Sequence, residues 1–140
     1  MNTPTAQRDE SRAVSWTDFQ DAVRYGADED TLIAVAEITA KHAQHRWLGA
    51  PLALHAKLAG YAGYLREYEH GTVFWTREFG ASALHGMIRD VWEILGRESS
   101  RLGMPVADLE FERATGTWHG RFERGRVSWA PATGPIVEFD

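Results

Sequence analysis

The 140-residue chain contains no cysteine, which excludes a disulfide framework and any thiolate chemistry. That absence suits a reducing compartment and is equally compatible with export. Positive charge is also in short supply: 15 basic against 20 acidic residues give a net charge of −5, which repels polyanions. Nucleic acid is therefore not an expected partner. No run approaches the roughly 18 apolar residues of a membrane span, so none is expected. The opening stretch MNTPTAQRDESRAVSW lacks the apolar core of a secretory signal. As given, the chain reads as cytoplasmic, with the cell envelope as its place if it is a fragment of an exported protein. Enzyme signatures are missing too: there is no Gly-x-Ser-x-Gly elbow, phosphate loop, dinucleotide fingerprint or His-Glu-x-x-His pair. The sequence leans away from catalysis, and no catalytic residue, cofactor or metal is expected.

What is present is an ordinary globular composition, 44% hydrophobic and 25% charged, in a length that suits one domain. Residues 1–13 are polar and read as a flexible arm, followed by a single domain over 14–140. Trp16, Phe19 and Val23 precede Gly26 at helical spacing and predict a short helix over 16–25. Asp28, Glu29 and Asp30 offer acidic caps to a second helix ending near His45, where Lys41 and His42 supply basic residues. A third helix is expected from Ser82 to Leu95, with Gly86 as its weak point. The runs YLREYEHGTVFW and TWHGRFERGRVSW each read as a β-hairpin, turning near His70-Gly71 and Arg124-Gly125.

Shifting the chain by 54 residues lays one half on the other without a gap. Leu48, Gly49 and Pro51 fall on Leu102, Gly103 and Pro105; Tyr64, Tyr68 and Glu69 fall on Trp118, Phe122 and Glu123; Gly71, Val73, Trp75 and Gly80 fall on Gly125, Val127, Trp129 and Gly134. The glycine after each helix suits a positive φ, and the proline prevents the helix from resuming. The expected fold is thus α+β: two helix-plus-hairpin repeats of period 54, about 32–85 and 86–140, preceded by a short N-terminal helix.

Leu48-Gly49-Ala50-Pro51, Leu102-Gly103-Met104-Pro105, the run from Phe122 to Trp129 and the ending Ala130-Pro131-Ala132-Thr133-Gly134 resemble the LGFP repeat family. The second unit carries the fuller ending. The resemblance implies a non-catalytic module of actinobacterial envelope proteins, used in tandem or beside mycolyltransferases and hydrolases to hold cell-wall polysaccharide. Only two units are present, so a capping helix at 16–25 or pairing into a homo-oligomer is expected to complete the stack.

Aromatic rings stack on sugar faces while their polar edges donate hydrogen bonds, so Tyr64, Trp118, Trp75 and Trp129 are candidates for a glycan surface. Core packing is the competing reading, strongest for Trp75 and Trp129. Arg77 and Arg126, beside the outgoing strands, are candidates for hydroxyl or carboxylate contacts, against a merely solvated role. His42 and His45, with Glu37 five residues before His42, carry only a weak metal-ligand spacing, and His70 and His85 could act as bases only beside a carboxylate. Glu67 with Glu69 and Glu110 with Glu112 read as solvated strand faces. The function expected is recognition of envelope polysaccharide. The alternatives are a cytoplasmic interaction protein that holds a protein partner and, third, a small enzyme with a His and carboxylate site between the repeats.

Overall fold

A computed structural model describes residues 28–60 and 62–140; the expected arm at 1–13 and helix at 16–25 lie outside them. The first helix, α1 (Glu29–Gln44), starts where Asp28 accepts a hydrogen bond from the Thr31 amide at 2.8 Å. Glu29 and Asp30 in its first turn, and Lys41 and His42 in its last, match the helix dipole. A 3-10 turn at Arg46–Leu48 leads to Gly49, whose φ of +83° reverses the chain.

Four antiparallel strands follow in the order β1 (Ala56–Lys57), β2 (Gly63–Tyr68), β3 (Gly71–Thr76) and β4 (Gly80–Leu84). Then come α2 (Gly86–Leu95), a 3-10 turn at Arg97–Ser99, and a second four-stranded antiparallel sheet. Its strands are β5 (Glu110–Glu112), β6 (Thr117–Phe122), β7 (Gly125–Ala130) and β8 (Gly134–Phe139). They begin at Glu110, Thr117, Gly125 and Gly134, each 54 positions beyond its counterpart. The architecture is α+β. Among the described residues no helix is long and apolar enough to cross a membrane.

Two expectations need correction. Each hairpin is the centre of a four-stranded sheet, extended by a short strand before it and another after the glycine turn. The third helix begins at Gly86 rather than Ser82, because Ser82 pairs with Phe74, and Leu84 with Thr72, in β4. Ser82, Ala83 and Leu84 are all buried. The first sheet is covered on both faces, so β4 lacks the alternation that would separate a strand from the start of a helix. Gly86 takes a φ of +62° at the joint, and His85, expected inside the helix, is its extended N-cap residue.

One face of the first sheet packs Tyr64, Tyr68, Val73, Trp75 and Ala83 against Ala34 and Ile38 of α1. Its other face places Leu65, Phe74 and Leu84 against α2, which also packs on Phe122 and Val127 of the second sheet. The layers therefore run helix, sheet, helix, sheet. Trp92 of α2 is at the joint, fully buried, with Phe74 on one side and Phe122 on the other at ring separations of 4.8 and 5.5 Å. Its indole N–H donates to the Gly103 carbonyl at 2.9 Å.

The two Leu-Gly-x-Pro segments do the same mechanical work. Pro51 bridges to Tyr68, and Pro105 to Phe122. The carboxylate of Glu69 accepts from the Ala50 amide at 2.9 Å, and that of Glu123 from the Met104 amide at 2.8 Å. Each segment is thereby tied to the turn of its own hairpin.

Candidate functional site

The residues that fill each half's own core recur from one half to the other; of those that line the space between the halves, Trp118 matches an aromatic partner, Tyr64, while Trp47, His85 and Asp108 have no counterpart of their type. An open cleft of about 430 Å³ is lined by His45, Trp47, Ala83, His85, Asp108, Leu109 and Trp118. The end of α1 and its 3-10 turn supply His45 and Trp47, the exit of β4 supplies His85, and the loop into β5 supplies Asp108. A run of aromatic rings crosses it: Trp118 meets His85 edge-on at 4.8 Å, and His85 meets Trp47 edge-on at 4.6 Å. Phe111 extends the run beyond Trp118 at 4.9 Å, and His45 extends it beyond Trp47 at 5.8 Å. Trp47 is 48% exposed and Trp118 half-buried, so both indoles keep open surface.

Asp108 ties the halves together. One carboxylate oxygen accepts from Lys41 Nζ at 2.7 Å and the other from the Ala83 amide at 2.8 Å, with His45 Nε2 at 3.9 Å. Its charge is balanced within the cleft. Burial pushes the His85 pKa down, and the nearby His45 and Arg89 lower it further. Near neutral pH His85 is an uncharged imidazole, with one nitrogen that donates and one that accepts. Because the folded chain resists this proton more than the unfolded chain does, stability should fall as pH drops below the ordinary histidine value of 6.5. His85→Gln should flatten that part of the profile. Thermal melts of both chains at about pH 7.5 and pH 5.5 check it, and an equal drop in the two would refute it.

The residues proposed from sequence scatter. Trp118 is in the cleft. Tyr64 and Trp75 are 4% and 1% exposed, the first bonded to the Thr31 hydroxyl and the second donating to Glu37 at 2.7 Å. Burial withdraws both from any surface on which a sugar could stack. Trp129 is half-buried against the core around α2. Arg77 is exposed and pairs with Asp30 and Glu29 at the start of α1, and Arg126 is exposed and pairs with Glu138 at 2.7 Å. These carboxylates raise the pKa of each arginine. Neither arginine lines the aromatic cleft.

His42 bonds the Gly49 carbonyl at 2.8 Å and stacks on Tyr68. Among the described residues no group of three His, Cys, Asp or Glu side chains is placed to hold a metal. The paired glutamates part company: Glu67 accepts from Thr72 and Glu69 from the Ala50 amide, while Glu112 is bonded by His119, which lowers its pKa.

Residues 48–100 match the family model described as LGFP repeat. This segment is similar to an LGFP repeat. The match starts at the first Leu-Gly-x-Pro and takes in the first sheet and α2. It falls on the unit with the less complete ending. No curated protein matches the chain.

Set on the 54-residue register of the two halves, Trp47 and Asp108, which sequence reasoning missed, and His85, which it weighed only as a base, share a property. Trp47 stands opposite Arg101, His85 opposite Thr31, and Asp108 opposite Leu54. They are the positions at which one half departs from the other, and that departure was the available signal. Thr31 and Tyr64 close the first half with a hydroxyl contact, and the equivalent pair, His85 and Trp118, leaves the second half open.

Proposed function

We propose that the chain is a non-catalytic recognition module of two LGFP units with a period of 54 residues. Its cleft takes an uncharged sugar of cell-envelope polysaccharide. The observation that carries this reading is the open run of Trp47, His85 and Trp118 beside a charge-balanced Asp108. Indole surfaces offer apolar faces to a pyranose ring, and a neutral imidazole offers a donor and an acceptor to its hydroxyls. Asp108 is held by Lys41 and the Ala83 amide, and the histidine nearest to it is His45. An arrangement of this kind favours binding over proton transfer by His85.

Retention of the chain on insoluble envelope polysaccharide tests the proposal. Trp118→Ala and Trp47→Ala should each weaken retention by about fivefold to tenfold, the scale of one lost aromatic contact. If the wild-type chain is not retained, the reading fails, and the interaction-protein alternative takes its place.

A further inference from the structure

The outer face of the second sheet occupies the place at which the first sheet receives α2. On the first sheet that place is a socket. Leu65, Phe74 and Leu84 supply its apolar floor. Glu67 and Thr72 supply its polar corner, where Arg89 of α2 reaches the Thr72 hydroxyl at 3.4 Å and Thr72 donates to Glu67 at 2.8 Å.

The second sheet has every one of these positions changed. His119, Ser128 and Glu138 replace the three apolar residues, and Arg121 and Arg126 replace Glu67 and Thr72. A corner of acceptors that holds a guanidinium has become a corner of guanidiniums. Another LGFP helix finds no floor there, and an arginine at the position of Arg89 meets like charge.

Arg121 and Arg126 are direct cross-strand partners, an arrangement that opposes like charges. Glu138 neutralises Arg126, and Glu112 engages His119. Arg121 is exposed; its carbonyl accepts from the Val106 amide at 3.0 Å, while its guanidinium, among the described residues, has no hydrogen-bond or ion-pair partner. It lines a hollow of about 440 Å³ with Arg126, His119, Glu110, Val106 and Asp108. Glu110 of β5, the cross-strand partner of His119 in β6, is exposed, and its carboxylate is likewise without a partner among the described residues.

We infer that this hollow is a second binding site, for a sugar acid whose carboxylate meets Arg121 while its hydroxyls donate to Glu110. The pattern of one free cation beside one free acceptor, on a face with no apolar floor, fits a hydroxylated acid better than a peptide. The site shares Asp108 with the cleft but none of its aromatic residues, so Trp118→Ala and Arg121→Gln tell the two apart.

Polygalacturonate and its fully methyl-esterified form are the probes, offered to the wild-type chain, Arg121→Gln and Trp118→Ala. The wild-type chain should prefer the acidic polymer, and the preference should shrink with added salt. Arg121→Gln should weaken binding to it about threefold to fivefold, as for one exposed ion pair, and leave binding to the ester unchanged. Trp118→Ala should keep the preference. Equal binding of both polymers by the wild-type chain, or no effect of Arg121→Gln, overturns the inference. Equal retention on polyglutamate overturns the assignment to a sugar and points to acidic polypeptide.

Discussion

Trp92→Ala should cost about 4 kcal/mol of stability, a shift of roughly 8–16 °C in Tm for a chain of this size. Trp92 is fully buried and belongs to the core that joins the two sheets. Its removal empties the space between Phe74 and Phe122 and leaves the buried Gly103 carbonyl without its donor. Neither sheet can close the gap without drawing away from α2. Denaturant unfolding followed by circular dichroism gives the value. Trp92→Phe keeps most of the ring volume and loses the hydrogen bond with a few ring atoms, for about 2 kcal/mol, well below the cost of the alanine. A cost below about 2 kcal/mol for the alanine would mean that the sheets do not depend on this joint.

The second large effect is expected at Gly103. Its φ is +77°, and a Cβ there would be 2.6 Å from Glu123 Oε1. Alanine therefore combines a left-handed backbone, at about 1–2 kcal/mol, with displacement of the carboxylate that accepts from the Met104 amide, at about 1.5 kcal/mol or more. The expected total is about 3 kcal/mol. Gly116 is the control, with a φ of +70° but open space around its Cβ, so Gly116→Ala should show only the backbone cost. Equal losses at the two positions, measured by the same unfolding experiment, would show that the Glu123 contact contributes nothing.

The contrast between Gly103 and Gly116 also marks how far the sequence was legible. Pairing of Glu69 with Glu123 and of Gly49 with Gly103 was visible in the register of the halves, and so were the helix stop and the hairpin turns. That each glutamate carboxylate caps the amide following the glycine required coordinates, since the contact spans 19 residues of chain. The start of α2 was misplaced because β4 is buried on both faces and its apolar residues run straight into those of the helix. Attention to recurring aromatics led to Tyr64 and Trp75, which recur because they are core. Trp47 and Asp108 were passed over because they do not recur. Recurrence reports what a unit needs to fold, and the open cleft is made where the units differ.

The position of α2 bears on how such a chain is inherited. A copied segment carries over the face that packs on its own helix, as Val73 and Val127 or Tyr68 and Phe122 show. The opposite face of each sheet is left to adapt to its neighbour. A cut between His85 and Gly86 would strip Leu65, Phe74 and Leu84 of their cover, and would take from α2 the packing it makes against the first sheet. The smallest segment that can be duplicated is thus shorter than the smallest that can fold as it does here.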